Sequence, residues 1–503
     1  MLPKKLAGVW KAGNFSVKPF KKCLPSNYSI EQLKTVHRSG SLRDTFDGHL
    51  RRAGQVLLQS SGAVTLVDLN SGRVEEQDIS NDWKFAHELK GGPVGFHCLE
   101  FTTLRAFSDI SKVEVQIDEW AVRDELEKVV VRFSSISLIR GSKKAVWINV
   151  KPMRGYEDEV QLVFQALEKA EFSADGFDYF PMIGIRTPFY EAKSAVDILP
   201  KSSIVENAGR IVETFISTAR KNEPGIIADL DTEFLHDYRV SLRRVRSMLS
   251  LFKSVYAADF NASIKLQLAE TMKQTNRLRD LDVYLLDREM FYDMVPESQY
   301  AGLDIMFDVF AAERAEALDQ VRGSLSADTY DQSMKDLLKN FQSLEKKHWG
   351  PAAEENTLAF AKRLVLKRYK KVASIARAID ADTPEAEVHA LRIQCKKLRY
   401  LMEFFMPLFP KKQIKPLVKS LKGLQDLLGR FNDYCVQRES LASFVQTHPM
   451  RGKKGLKVAE SVGALVATLF QLQKKARRDV ESNLELFVNR ETAAAFKGLC
   501  STG

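Results

Sequence analysis

Two stretches of the sequence place a histidine ahead of a row of basic residues. Residues 234–252, FLHDYRVSLRRVRSMLSLF, hold the first stripe, which consists of His236, Arg239, Arg243 and Arg246. Residues 387–405, EVHALRIQCKKLRYLMEFF, hold the second stripe, which consists of His389, Arg392, Lys396 and Arg399. Side chains at steps of three and four share one face of a helix. Both stretches therefore predict a helix with a cationic face that could bind an anion.

Helical geometry separates the basic residues of the first stripe from the apolar ones. At about 100° per residue, the stripe spans an arc of roughly 80°. Leu242, Val245 and Leu249 fall on the other side, where they can pack. No acidic residue stands four positions from the stripe's arginines. Arginine offers a planar fork that suits phosphate oxygens, so an anion site is favoured over a merely solvated face.

The two stripes belong to a longer internal match. An offset of 153 residues takes His236 to His389 and Arg239 to Arg392, and it takes RDLDV (279–283) to NDYCV (432–436) without a gap. Two motifs in register at one offset indicate a duplication. The pattern predicts two related helical halves whose stripes face one groove.

Further charged residues complete the predicted site. We expect additional groove cations at Lys273, Arg277, Arg279, Lys419 and Lys422, and further basic lining at Arg210, Arg363, Lys367 and Lys370. The matched acids Asp280 and Asp433 are interpreted as structural partners of neighbouring cations or helix ends. The sequence shows no nucleophile motif, phosphate-binding glycine loop or metal-ligand spacing, so we predict no catalytic residue, no metal and no cofactor in the helical part.

Charge is unevenly distributed along the chain of 503 residues. Residues 1–200 hold 27 basic and 26 acidic groups, residues 201–350 hold 20 and 24, and residues 351–503 hold 28 and 15. The last third is therefore where a polyanionic partner is expected. Five scattered cysteines fit a reducing cytoplasm, and we expect neither a signal peptide nor a membrane span.

Two different domains are expected. Alternating and β-branched runs over residues 1–185 predict an α+β domain of antiparallel strands. Residues 186–202, with Pro188 and Pro200, are interpreted as a linker. Residues 203–500 have an almost unbroken helical pattern, with halves of about 203–350 and 351–500, which fits two helical bundles.

The helical region resembles the CHAD family, the conserved-histidine α-helical domain, through LHDYRVSLRRVRSMLSLF with RDLDVYLL and VHALRIQCKKLRYLMEFF with LQDLLGRFNDYCV. The resemblance covers about residues 203–500. It implies two pseudo-symmetric four-helix bundles whose basic groove, lined by both stripes, binds inorganic polyphosphate.

The first domain resembles the CYTH family, whose members have a triphosphate tunnel inside a β-barrel. The similar segments are LRDTFDGHLRRAGQVLLQ (42–59) and KPMRGYEDEVQLVFQALEKAEF (151–172). Active members carry an N-terminal ExExK, but NFSVK (14–18) takes its place here, and Leu58 and Ser60 stand where basic residues are expected. WINVK (147–151) lacks the late acidic pair, so we expect a degenerate tunnel domain without a cage for a divalent metal.

These observations predict a cytoplasmic, non-catalytic protein that binds polyphosphate and is associated with polyphosphate or storage granules. One alternative is a metal-dependent triphosphatase or polyphosphatase in the N-terminal domain. A second is a nucleic-acid-binding protein, which is disfavoured because few aromatic residues interleave with the stripes. A third is an interaction scaffold. Chain-length preference, oligomeric state and cellular partner stay open.

Overall fold

The computed structural model describes residues 9–12, 17–170, 172, 178–192, 194–380 and 382–501. The chain divides into two compact units, Met1–Ala192 and Lys193–Gly503. The N-terminal unit is built around a sheet and the C-terminal unit is helical.

The N-terminal unit contains one antiparallel sheet with the order β1-β8-β7-β6-β2-β3-β4-β5. Over the described residues, its strands are β1 (Val9–Ala12), β2 (Ser29–Thr45), β3 (Gln55–Ser60), β4 (Ala63–Asp68), β5 (Val74–Asp78), β6 (Phe107–Arg123), β7 (Val129–Arg140) and β8 (Lys143–Pro152). Its helices are α1 (Val17–Cys23), α2 (His49–Ala53), α3 (Pro93–Phe101), α4 (Glu157–Lys169) and α5 (Tyr179–Met182).

This sheet confirms the predicted antiparallel α+β domain but is not closed into the predicted barrel. The short β1 pairs with β8 alone and the short β5 pairs with β4 alone, so the described strands leave two edges. Closure of a sheet requires pairing between residues far apart in the sequence, which local alternation does not encode. Residues 13–16, which include Asn14 of the NFSVK segment, lie outside the described part of the chain.

Both faces of the sheet are packed by apolar residues in alternation. Ile136 and Trp147 belong to a buried cluster on one face, together with Tyr179 of α5. Phe133 and Val150 belong to a second cluster, together with residues of α1 and α4. Since successive strand residues point to opposite faces, the period of two in β7 and β8 accounts for both clusters.

The C-terminal unit consists of helices with apolar positions at steps of three and four. Side-chain caps begin some of them: Asp231 Oδ1 accepts hydrogen bonds from the backbone N–H groups of Glu233 and Phe234 at the start of α7. The helices are α6 (Ile204–Ile227), α7 (Thr232–Leu251), α8 (Ala258–Gln274), α9 (Asn276–Leu286), α10 (Arg288–Asp293), α11 (Tyr300–Leu325), α12 (Asp328–Gln342), α13 (Thr357–Arg377), α14 (Glu385–Phe404), α15 (Lys411–Thr447), α16 (Gly452–Phe487) and α17 (Arg490–Cys500).

Helix positions in this unit follow the sequence offset. The starts of α6 and α13, of α7 and α14, and of α8 and α15 are each 153 residues apart. The ends of α7 and α14 are separated by the same number. One difference is that α15 runs on as a single helix where the first segment breaks at Thr275 into α8 and α9.

Residues related by the offset also contact each other. The rings of Phe252 and Phe405 stack with centroids 5.6 Å apart and an interplanar angle of 9°. Ser203 and Asn356, which precede α6 and α13, form an antiparallel β-bridge. Equivalent residues meet in this way only close to a twofold axis. The stretches around α6–α7 and α13–α14 are therefore related by an approximate twofold rotation.

One described helix, Gly452–Glu485 within α16, is long and apolar enough to cross a bilayer by length and composition alone. A core helix of a soluble protein passes the same test. Val458, Val462, Leu465 and Leu469 of α16 are buried at steps of three and four, as expected for packing against neighbouring helices. The predicted absence of a membrane span stays a prediction.

Candidate functional site

The two stripes approach each other in the C-terminal unit. Burial lowers the pKa of Arg392 and of Lys396 on α14, and repulsion from Arg243 of α7 lowers both pKa values further. Such an effect requires short separation in a partly desolvated setting. Cations from the two repeats therefore lie close to one another; that the two stripes line one groove stays a prediction.

Among these cations, Lys396 has a strongly lowered pKa. Burial, followed by repulsion from Arg392 and Arg243, lowers the pKa of Lys396 to about 8. Asp433 acts in the opposite direction, and Arg399 adds further repulsion. The protein thus concentrates positive charge there with too little negative charge to balance it.

A shared carboxylate joins the two helices beside this surface. Glu403 Oε2 accepts a hydrogen bond from Arg244 Nη2 at 3.2 Å, and Glu403 Oε1 lies 3.4 Å from Arg399 Nε. Arg244 comes from α7, whereas Glu403 and Arg399 come from α14. The pairing links the two helices and partly neutralises the charge of Arg399. Arg243 and Lys396 have no such carboxylate partner in the described chain.

Arg239 has a different environment from the exposed groove cation that the stripe predicted. Its side chain is buried, and Nη1 donates to the Met272 carbonyl at 3.0 Å and to Thr275 Oγ1 at 2.5 Å. Nη2 donates to Asn276 Oδ1 at 2.8 Å. Burial and repulsion from Arg243 lower the pKa of Arg239 to about 10. Arg239 therefore joins α7 to the break between α8 and α9 and is a positioning residue.

Other cations of the first half lie around Arg239. Arg246 Nη1 lies 3.5 Å from the Met272 sulfur, and Lys273, the next residue, is exposed. Arg277 forms an ion pair with Glu313, while Asp280 lies close enough to Arg239, Arg277 and Arg279 to attract all three. Asp280 thus lies among cations, and its role as a structural acid stays a prediction.

An acidic residue, Asp433, also lies beside the second stripe. Asp433 Oδ1 accepts a hydrogen bond from Arg392 Nη2 at 3.3 Å. Asn432, the preceding residue, contacts the exposed His389 through Oδ1 and Nδ1 at 2.5 Å. His236, the equivalent of His389, is partly buried on α7. The histidines therefore stand at the N-terminal ends of the two stripes with different exposure.

Several predicted lining residues are not brought to the stripes by any contact of the described chain. Arg210 forms an ion pair with Asp197 at 3.7 Å. It lines a pocket together with Phe341 and Trp349. Arg363 and Lys367 line a different cleft on α13. The remaining member of this lining group, Lys370, is exposed, as are the predicted groove cations Lys419 and Lys422.

Some residues of the site were missed by the sequence reasoning. Glu403 is one; it stands four residues after Arg399, a spacing that favours an ion pair on a helix. Elsewhere, on α15, Gln425 has a buried side chain whose amide oxygen and amide nitrogen have no hydrogen-bond partner.

In the N-terminal unit, the residues that resemble the tunnel motif form hydrogen bonds, ion pairs or apolar contacts within the unit. Asp44 is buried and accepts backbone hydrogen bonds from Leu50 and Arg51. Arg51 pairs with Asp178 and lies against the rings of Phe180 and Phe189. Leu58 is buried in an apolar cluster. Among the described residues, no group of three His, Cys, Asp or Glu side chains is placed to hold a metal ion.

The C-terminal unit is a helical domain with an approximate internal twofold axis. Its two equivalent helices, α7 and α14, carry basic residues that lie close together. The sequence model of the CHAD domain family matches residues 210–442. The C-terminal unit therefore contains a CHAD domain, as the two motifs predicted.

Two solved structures are similar to this chain. The CHAD domain from the plant Ricinus communis is 23% identical with a TM-score of 0.48, and the match covers 60% of this chain and 97% of that one. PptA from Streptomyces chartreusis is 17% identical with a TM-score of 0.42, and the match covers 56% of this chain and 99% of that one. A search of curated proteins gives no match.

Proposed function

We propose that the C-terminal unit binds inorganic polyphosphate across the stripes of α7 and α14, in a groove to which both halves contribute. The observation that supports this proposal is the crowding of Arg243, Arg392 and Lys396, where burial, followed by repulsion from Arg392 and Arg243, lowers the pKa of Lys396 to about 8. A fold holds such repulsion at a cost in stability. A polyanion that neutralises the three side chains together would remove that cost.

The chemistry of polyphosphate fits this surface better than that of nucleic acid. Polyphosphate carries regularly spaced charges and no bases, so it requires a cationic track without aromatic platforms. Proteins that bind single-stranded nucleic acid stack bases on exposed aromatic rings. The aromatic residues of α7 and α14 within the described chain are buried and unavailable for stacking: Phe234, Tyr238, Tyr400 and Phe404.

A charge-removal experiment tests the proposal. Long-chain polyphosphate is titrated into the wild type and into Arg243→Gln/Lys396→Gln, at about 50 and about 200 mM salt. We expect the variant to bind at least tenfold more weakly and the slope of log affinity against log salt to fall by about 1 to 2. Equal binding by wild type and variant would contradict the proposal.

A matched control is available on helices that carry neither stripe. Lys221 of α6 and Lys339 of α12 are exposed, so Lys221→Gln/Lys339→Gln removes the same charge at the surface. This variant is expected to bind polyphosphate nearly as well as the wild type. Single-stranded RNA, titrated in parallel, is expected to compete poorly; RNA binding that equals polyphosphate binding would favour a nucleic-acid-binding function.

We infer that the N-terminal unit is a degenerate CYTH-like domain that serves as a scaffold without catalysis. Support comes from the internal pairing of Arg51 with Asp178 and from apolar Leu58 within a buried cluster. We expect the full chain to release no phosphate from tripolyphosphate when Mg²⁺ or Mn²⁺ is added. Metal-dependent release above the buffer control would favour the triphosphatase alternative. In cells, a fluorescent fusion is expected in the cytoplasm, coincident with a polyphosphate stain.

A further inference from the structure

A second cationic surface lies in the C-terminal unit, between α13, α14 and the segment that follows α7. It is a cleft of about 460 Å³, which we call the α13–α14 cleft. Among the described residues, no Asp or Glu lines it. The basic residues that line it are Lys253, Arg363, Lys367, Arg368, Lys371 and Lys397.

The cleft is separate from the stripes. Lys397 lies about 140° around α14 from Arg392, at about 100° per residue, and therefore on a different side of the helix. The cations that repel Lys397 are Arg368, Lys371, Lys253 and Lys265, none of which belongs to a stripe. The charges of Lys396 and Lys397, although adjacent in sequence, thus belong to two different surfaces.

Most of the cleft's charges have no internal partner. Of the six cations, Arg363 alone forms an ion pair within the described chain, with Glu355 at 2.5 Å. Arg368 Nη1 donates to Gln394 Oε1 at 2.6 Å, whereas Arg368 Nε is buried without a hydrogen-bond partner. Burial lowers the pKa of both Arg368 and Lys397, and repulsion between the cations adds to the effect on Lys397. Desolvated, like-charged groups of this kind are costly unless an anion neutralises them.

The cleft is not a product of the duplication. At the offset of 153 residues, the positions equivalent to Lys367, Arg368 and Lys371 hold Thr214, Phe215 and Thr218, and the position equivalent to Lys253 holds Met406. The two remaining equivalents are the arginines at 210 and 244, and both are paired with carboxylates. A cationic cleft at one of two equivalent places indicates a site specific to the second half of the unit.

We propose that the α13–α14 cleft is a second anion site, distinct from the stripes, that binds a compact anion carrying several phosphate groups. Five cations without a carboxylate partner exceed what one phosphate neutralises. A volume of about 460 Å³ suits a small molecule, since ligand pockets commonly measure about 300–1,000 Å³. Lysines act as point charges that accept phosphates in many orientations, whereas Arg368 offers a directed fork.

Two kinds of compact anion carry several phosphate groups: a short linear polyphosphate and a phosphorylated ring. Calorimetry on the full chain distinguishes them. The probes are tripolyphosphate, inositol hexakisphosphate and inorganic phosphate. We expect at least one of the first two to bind, and to bind at least tenfold more weakly to Lys367→Gln/Lys371→Gln. Binding of tripolyphosphate alone assigns the site to linear phosphates, and binding of inositol hexakisphosphate alone assigns it to a phosphorylated ring. Either result supports the proposal.

Crossed variants separate this site from the proposed polyphosphate surface. Both substituted lysines are exposed, so Lys367→Gln/Lys371→Gln is expected to fold and to retain long-chain polyphosphate binding. Arg243→Gln/Lys396→Gln is expected to retain the compact ligand, as is the control Lys221→Gln/Lys339→Gln. If neither compact probe binds, the proposal is overturned. Equal binding by the cleft variant and the wild type, or equal loss in the stripe variant and the cleft variant, overturns it as well.

Discussion

Two arginines of the same stripe have different roles, which follow from their surroundings. Arg239 is buried and donates three hydrogen bonds to the α8–α9 junction, whereas Arg243 has no ion pair in the described chain and repels Arg392 and Lys396. We therefore expect Arg239→Ala to lower the free energy of unfolding by about 1–3 kcal/mol, through lost hydrogen bonds and a cavity. Thermal and denaturant unfolding measure this effect.

Arg243→Ala serves as the counterpart. It removes a source of repulsion, so the free energy of unfolding is expected to stay within about 0.5 kcal/mol of the wild type or to rise. Its polyphosphate affinity is expected to fall. If Arg243→Ala destabilised the protein as much as Arg239→Ala does, Arg243 would be a structural residue too.

Lys396 is expected to make the proposed binding of a polyanion dependent on pH. Its pKa is lowered to about 8 in the folded protein from an ordinary value of 10.5. Below about pH 8 the side chain is charged in both states, and the folded state carries the full penalty of burial and repulsion. Between these two pKa values the unfolded state binds more protons, so this group raises stability as pH rises.

Anion binding is expected to raise the pKa of Lys396, opposite to the effect of burial and repulsion, because a bound phosphate favours the ammonium form. At about pH 9 we expect polyphosphate binding to take up protons, and its affinity to fall as pH rises. Calorimetry in two buffers of different ionisation enthalpy measures the uptake. The Lys396→Arg variant keeps its positive charge in this pH range, so it is expected to take up fewer protons on binding. The same proton uptake in wild type and variant would rule out Lys396 as the source.

At the scale of helices, the ends of α7 and α14 are joined across the approximate twofold axis by Phe252 and Phe405. Both rings are fully buried and stack 5.6 Å apart. Aromatic pairs of this kind contribute about 0.5–1.5 kcal/mol beyond the area that they bury. We expect a double-mutant cycle of Phe252→Leu and Phe405→Leu to give a coupling energy in this range.

Phe291 provides the control for that cycle. It is fully buried in α10, where its ring contacts Tyr284 and Phe307. Phe291→Leu combined with Phe405→Leu is expected to be additive within about 0.5 kcal/mol. A coupling between Phe252 and Phe405 no larger than this control would mean that the stacked pair does not hold the two helices together.

The helices were predictable from sequence to the extent that their signals are local. Apolar residues at steps of three and four, and the 153-residue offset between the stripes, depend only on neighbouring positions. The burial of Arg239 was not predictable in this way, because helical periodicity does not distinguish a basic side chain in solvent from one that bonds to an adjacent helix end. The break at Thr275, which places the Met272 carbonyl within reach of Arg239, is a tertiary feature.

At the scale of the whole molecule, sequence patterns predicted an antiparallel sheet unit followed by a helical unit, but not an open sheet. Alternation in β2 and β6 specifies the two faces of the sheet and leaves the pairing of its outermost strands undetermined. The α13–α14 cleft was not recognised as a separate surface: Arg363 and Lys367, which recur with Lys371 at steps of four on α13, were assigned to the lining of the groove. Sequence shows that these residues share a face; the approach of Lys397 and Lys253 requires the fold.

Charge is divided unequally between the two units, and this division predicts where polyphosphate binds. Residues 193–503 hold 49 of the 75 basic residues and 40 of the 65 acidic ones, so they carry nearly all of the net charge of +10. They also contain both stripes and the α13–α14 cleft. Since binding of a polyanion depends on cations that replace its counterions, the N-terminal unit is expected to add little affinity.

The C-terminal unit expressed alone, as residues 193–503, is therefore expected to bind long-chain polyphosphate within about threefold of the full chain and with the same dependence on salt. Circular dichroism and cooperative thermal unfolding first establish that the fragment is folded. Titration at two salt concentrations then compares the fragment with the full chain. A folded fragment with a much smaller salt slope would show that cations of the N-terminal unit take part in binding, and the binding surface would then have to extend beyond α7 and α14.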